Sequence, residues 1–316
     1  AGAVRLLSGP GCPVCVTADA DIDQAIALAR RPHVTVATFG DMLGVPGSHA
    51  SLQEARASGA DVRVVYSALD ALALARQQPR RQVVMLGVGF ETTAPTVAAA
   101  LAQARQEGLA NYLVYALHKL TPPAMRAILD AGEVRVDAVL GPGHVTTITG
   151  WHAWDFLPRE YGIGCAVAGF EPVDILQGVL ALAQAAAEGV PAVANPYARS
   201  ATPDGNRVAQ ALMAEVFRVD VAAWRGLGRI PASGLSLRPA YAAHDARLAL
   251  GLAEAPAAEP AERRGCRCGA VLRAVIEPPD CPLFGAVCTP ERPIGPCMVS
   301  AEGACAAHYR YGGAEL

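Results

Sequence analysis

From residue 1 to about residue 190, short apolar runs alternate with longer stretches whose apolar residues recur at helical spacing. The runs are "VRLL", "HVTVAT", "DVRVVY", "QVVMLGV", "NYLVYAL", "VDAVLG" and "GCAVAG". Each is continuous rather than alternating, as a strand buried on both faces requires. Between them lie "DIDQAIALARR", "ALDALALARQQ" and "APTVAAALAQARQEG", with the three-to-four-residue recurrence of amphipathic helices. Strands in regular alternation with helices predict βαβ units and parallel sheets with helices on their faces.

An internal echo divides this region. "LSGPGCPVCVT" (7–17) and "VLGPGHVTTIT" (139–149) share a strand, Gly-Pro-Gly and a helix start, while "VGFETTAP" (88–95) and "AGFEPVDI" (168–175) share a strand, Gly-Phe-Glu and a helix start. The expectation is two similar Rossmann-like α/β domains, 1–80 and 81–190, parting near "RQQPRRQ" and facing a cleft. All four motifs would lie at the carboxyl ends of strands, where parallel sheets bind ligands. Beyond residue 190 the rhythm is lost. "WRGLGRIPASGLSLRPAY" is rich in Gly and Pro, "GLAEAPAAEPAERRG" reads as a linker, and 266–316 is short and dense in cysteine. We expect 191–316 to form a third, mainly irregular and helical domain needing a staple or a metal.

Composition narrows the function classes. The 316 residues are 52% hydrophobic and 17% charged, with net charge −3, which leaves ample core and no electrostatic footprint for nucleic acid or an anionic membrane. No apolar run reaches the roughly 18 residues of a membrane span. The opening "AGAVRLL" has no basic leader and reads as a strand already under way, so we expect chain upstream of residue 1.

The candidate chemistry is carried by cysteine. Of nine cysteines, six fall within the last 51 residues, four of them spaced Cys266-x14-Cys281-x6-Cys288-x16-Cys305. Four thiolates without histidine suit tetrahedral zinc or a [4Fe–4S] cluster. The absence of paired C-x-x-C knuckles and the prolines beside the thiols favour the cluster. Cys268 and Cys297 are extra. Cys12 and Cys15 form a separate C-P-x-C pair, read as a redox dithiol or a metal site, with Cys12 expected near a helix N-terminus that would favour its thiolate.

Further candidates sit at the expected strand ends. His144 occupies the place of Cys12 in the echo and could donate to a ligand or handle a proton in the same cleft; His118 is weighted lower. Glu91 could cap the helix that follows it or act as a cleft carboxylate. Glu171, before Pro172, reads as a cap. Asp41 precedes a Gly/Pro loop. Cys165 lies inside an apolar strand and reads as core. "GVGFETT" lacks the third glycine and the lysine of a phosphate-binding loop, so nucleotide binding is not read from it.

Gly-Pro-Gly-Cys-Pro-Val-Cys, Gly-Phe-Glu-Thr-Thr, Gly-Pro-Gly-His-Val and the four-cysteine tail follow one another in this order, and "FGDMLGVPGS" (39–48), "HKLTPPAM" (118–125), "WRGLGRIPASGL" (224–235) and "CPLFGAVCTP" (281–290) accompany them. In these features the whole chain resembles the HypD family of hydrogenase maturation factors. The resemblance implies a cytoplasmic scaffold that helps assemble the Fe(CN)2CO unit of [NiFe]-hydrogenases, in complex with a HypC-like chaperone and a HypE-like cyanide donor. It implies a [4Fe–4S] cluster on Cys266, Cys281, Cys288 and Cys305, and electrons passing between it and the Cys12–Cys15 dithiol. Cys12, Cys15, His144 and Glu91 are then the candidate reactive residues. The family's Cys-Gly-x-His motif, which holds the iron, is not in this sequence and would precede residue 1. Two other readings stand beside this one: an independent iron–sulfur thiol-disulfide oxidoreductase, and a zinc-stapled α/β binding protein.

Overall fold

The computed structural model describes residues 4–252 and 265–312. Its first half is a parallel sheet built from β1 (Val34–Thr38), β2 (Val62–Val64), β3 (Gln82–Gly87) and β4 (Tyr112–Ala116), in the order β2-β1-β3-β4. The central strands β1 and β3 are buried along nearly their whole length because helices cover both faces, α1 (Asp19–Ala29), α2 (Leu52–Ala57), α3 (Ala68–Gln77) and α4 (Ala94–Glu107); α5 (Thr121–Asp130) follows β4. Local signals set the helix ends. Ser51 with Glu54 and Ser67 with Asp70 form reciprocal caps at the starts of α2 and α3. Gly108 stops α4 in the left-handed conformation that its missing Cβ permits.

A second parallel sheet follows, β5 (Ala138–Pro142), β6 (Gly164–Ala168) and β7 (Val193–Ala194), with α6 (Gly143–Thr149) and α7 (Pro172–Glu188) leaving the carboxyl ends of β5 and β6. Next come α8 (Arg207–Val216), an antiparallel hairpin of β8 (Phe217–Trp224) and β9 (Gly228–Leu237), and the short α9 (Ala246–Ala249). The cysteine-rich tail has two short helices, α10 (Cys268–Leu272) and α11 (Ala304–Tyr311), joined by turns. The architecture is thus α/β, two parallel sheets followed by a helical and irregular cysteine-rich region. No helix among the described residues is long and apolar enough to cross a membrane.

Three expectations need correction. The parting near residue 80 runs through one sheet, since β3 pairs with β1 on one side and β4 on the other. The sheets divide instead between β4 and β5, because strand pairing, which the linear pattern does not reveal, decides which strands belong together. Residues 4–9 form no strand, and Val4 and Leu6 are exposed, since no neighbouring strand pairs with them. The Gly-Pro-Gly echo is therefore incomplete: its second copy joins β5 to α6, whereas its first follows irregular chain. The Gly-Phe-Glu echo is real in the backbone, with Gly89–Glu91 following β3 and Gly169–Glu171 following β6, each ahead of a helix.

Candidate functional site

Cys12 and Cys15 form a disulfide with Cα atoms 5.2 Å apart. Cys12 directly precedes the turn 13–16, which contains Cys15, and lies seven positions before Asp19 opens α1, so the helix N-terminus expected at Cys12 is absent. The turn itself supplies the donor: the Cys15 backbone N–H points to the Cys12 sulfur at 3.1 Å. Such a bond favours the thiolate when the pair is reduced. Both residues are enclosed, Cys12 at 2% and Cys15 at 0% exposure.

What encloses them is the cysteine-rich tail. The Cys15 sulfur sits 3.7 Å from the carbonyl oxygen of Pro296, the residue before Cys297. Cys297 is itself paired with Cys268, Cα atoms 6.4 Å apart. Cys12, Cys15, Cys268, Cys288, Cys297 and Cys305 all belong to one buried apolar cluster. The second pair was not foreseen; its 29-residue separation gives no local spacing signal, and pairing required the tail to be folded.

The four remaining tail cysteines, Cys266, Cys281, Cys288 and Cys305, are unpaired and line a single cavity together with Leu283, Phe284 and Gly295. The Cys305 thiol is pushed up to about 12, first by burial and then by the neighbouring sulfurs of Cys266, Cys281 and Cys288. An electrostatic penalty of this kind is what a bound cation relieves. The Ile294 N–H reaches the Cys288 sulfur at 3.3 Å, a donor of the kind that tunes a metal-bound thiolate. At Gly295 a Cβ would lie 2.7 Å from the Cys266 sulfur, so only glycine leaves that sulfur its place. Among the described residues no three His, Cys, Asp or Glu side chains converge closely enough to hold one metal ion. Four unpaired thiols around one cavity are a donor set that suits either a tetrahedral zinc or a [4Fe–4S] cluster.

The other candidates lie apart from this centre. His144 is exposed at the start of α6, its ring 4.9 Å from Phe170 edge-on and 6.1 Å from Tyr197. Arg199 stacks on Tyr197 and grips Asp174, holding that carboxyl down at about 2. Glu171 occupies the N-cap position of α7 ahead of Pro172, as expected, but its side chain makes no capping bond and pairs instead with Arg199 at 3.0 Å, because the guanidinium competes better than neutral amides. Glu91 is buried and accepts the Thr121 N–H at 2.8 Å, capping α5 rather than the helix that follows it in sequence. The end of β4 runs beside that of β3, which brings a foreign helix start to Glu91. Burial raises its carboxyl to about 7 despite that bond.

His118 is wholly enclosed, neither ring nitrogen has a partner, and burial together with Lys119 lowers it to about 3. It is a neutral interior group. Asp41 accepts a hydrogen bond from Ser300 at 2.8 Å, docking the loop after β1 onto the tail. Cys165 is core, as expected, its thiol raised to about 12 by burial. Sequence reading passed over Arg225, which is buried at the hairpin tip and bonded to the backbone beyond Cys15. Its one signal was a lone arginine between Trp and Gly in an apolar stretch.

Comparison with known proteins agrees with the resemblance. The HypD family model, described as "Hydrogenase formation hypA family", matches residues 1–312. The chain is 50% identical over 313 residues to the hydrogenase maturation factor HypD of Rhodobacter capsulatus, covering 98% of this chain and 83% of that protein. It is 47% identical over 317 residues to HypD of Rhizobium leguminosarum bv. viciae, covering 98% and 82%. It is 43% identical over 314 residues to HypD of Escherichia coli K12, again covering 98% and 82%. With this similarity running the length of a fold whose cysteines gather in one buried centre, the chain belongs to the HypD family of hydrogenase maturation factors.

Proposed function

We propose that this protein is a cytoplasmic redox scaffold on which the Fe(CN)2CO unit of a [NiFe]-hydrogenase is assembled, working with a HypC-like chaperone and a HypE-like cyanide donor. The observation that carries the redox reading is the contact of the Cys15 sulfur with Pro296, which seals the Cys12–Cys15 pair against the tail that holds the four unpaired thiols. Cys266, Cys281, Cys288 and Cys305 would hold a [4Fe–4S] cluster, which when bound supplies one-electron transfer.

The chain's own residues do the rest. The tail excludes water from both cysteine pairs, so electrons and protons are not lost to solvent. The Cys15 N–H stabilises a Cys12 thiolate in the reduced state. Cys268–Cys297 lines the four-thiol cavity, and Cys297 follows Pro296, whose carbonyl faces the Cys15 sulfur. His144, exposed against Phe170 and Tyr197, offers a ring nitrogen to a ligand nitrogen arriving from outside, the role a cyanide-bearing iron would require.

The same burial argues against an independent oxidoreductase. A protein disulfide cannot be attacked by sulfurs enclosed to this degree unless the tail moves away.

The test is iron, zinc and acid-labile sulfide per chain in anaerobically purified protein. The expected result is about four irons and four sulfides, lost on Cys281→Ser, together with stable capture of a HypC-like protein. About one zinc without sulfide would overturn the electron-transfer reading.

A further inference from the structure

The turn Trp224–Gly228, at the tip of the β8–β9 hairpin, touches the chain beside both cysteine pairs at once. On one side it holds the chain that leaves Cys15. Thr17 bridges to Trp224, the Arg225 N–H donates to the Val16 carbonyl at 2.9 Å, and the Arg225 guanidinium donates to the Thr17 carbonyl at 2.8 Å and the Pro46 carbonyl at 3.3 Å. The guanidinium also pairs with Asp19, the first residue of α1, at 2.9 Å. On the other side the turn meets the start of α10. A Cβ on Gly226 would fall 2.4 Å from the Cα of Gly269, the residue after Cys268, and the Gly226 carbonyl accepts from Arg273. Behind it, Trp224 is fixed by its Nε1–H bond to Ser233 at 2.8 Å and by stacking on Phe90 at 6.1 Å.

These contacts do not resemble ordinary hairpin packing. Arg225 is buried, and its guanidinium ties the chain leaving Cys15, at the Thr17 carbonyl, to the Pro46 carbonyl of the loop after β1 and to Asp19 at the start of α1. Gly226 has φ +74°, and its bare Cα face is the only one that admits the backbone beside Cys268. A single rigid turn therefore sets where one cysteine pair lies relative to the other.

We propose that Arg225 and Gly226 are positioning residues that hold the Cys12–Cys15 pair within reaction distance of the Cys268–Cys297 pair. This rests on the redox reading above. Neither residue touches a reacting sulfur. Arg225 fixes the chain two residues beyond Cys15, and Gly226 fixes the chain one residue beyond Cys268.

The test traps the juxtaposition directly. In a Cys12→Ser, Cys268→Ser background, Cys15 and Cys297 are left without their native partners, and oxidation by diamide can join their sulfurs. The new Sγ–Sγ bond releases two electrons and two protons, which reduce the azo group of diamide to a hydrazine. The rate is read by quenching, alkylation and peptide mass spectrometry. The expected result is fast Cys15–Cys297 bonding in the parent and at least a tenfold slowing in Arg225→Met and in Gly226→Ala, with Arg225→Lys in between. Ile26→Val, a core substitution, serves as the control for general loosening and leaves the rate unchanged. Should Arg225→Met fail to fold, Arg225→Lys and Gly226→Ala carry the measurement. Rates within twofold of the parent, equal slowing by Ile26→Val, or no bonding in the parent would each overturn the proposal. The redox reading fails by a different result, namely unimpaired hydrogenase maturation with Cys12→Ser in the otherwise native chain.

Discussion

Glu91→Gln isolates one buried ionisation and gives it a sign. The Glu91 carboxyl is enclosed by the loops after β3 and β4, and burial raises it from 4.5 to about 7. Between those values the folded protein keeps a proton that the unfolded chain has already released, so stability falls as pH rises. The shift corresponds to roughly 3 kcal/mol, lost across the window from about 4.5 to about 7. Glutamine is the neutral counterpart of the protonated acid, and its side-chain oxygen can still accept the Thr121 N–H that caps α5. The variant should match the parent to within about 1 kcal/mol at pH 5 and exceed it by about 2 kcal/mol at pH 8. Thermal and urea unfolding of the two proteins, compared at each pH from 5 to 8, measures the difference, in which every other titrating group cancels. Parallel pH profiles, or a variant that is less stable at pH 8 than at pH 5 relative to the parent, would refute the argument that Glu91 ionises at a cost inside the fold.

Three further outcomes follow from the same structure. His118, lowered from 6.5 to about 3, is neutral when folded, so the parent loses stability as pH falls below about 6.5, by about 2 kcal/mol at pH 5; His118→Leu removes that loss, and unfolding at pH 5 and pH 7 checks it. Gly295→Ala sets a Cβ 2.7 Å from the Cys266 sulfur, and the iron and sulfide per chain that the proposed cluster would contribute should fall severalfold while the circular dichroism of the α/β region stays native. Cys165→Ala removes a sulfur packed in the β6 core and costs about 1 kcal/mol by denaturation, yet leaves iron and sulfide content unchanged.

The apolar runs and helical spacings made the α/β class legible, because burial on both faces writes itself into each strand separately. The cysteine spacing likewise marked out Cys266, Cys281, Cys288 and Cys305, and the structure gathers these four around one cavity. Glu91 was visible as a polar residue at a strand end, but its partner was not: capping of α5 depends on β3 and β4 lying side by side. Cys268–Cys297 was invisible for the same kind of reason, since a pair so distant in sequence is defined only when the tail closes.

What the sequence determined by itself was local: the apolar runs that became β1 to β6, the helical spacings of α1, α3 and α4, and which thiols share a C-P-x-C. Tertiary structure alone decided that residue 80 lies within a sheet rather than between two, that "VRLL" is no strand, and that the Cys12–Cys15 turn is sealed by Pro296. Strand order, capping by a neighbouring loop and the meeting of two cysteine pairs are contacts between residues far apart in the chain. No local propensity encodes them, and they exist only once the hydrophobic cluster shared by the sheets, the hairpin and the tail has brought the segments together.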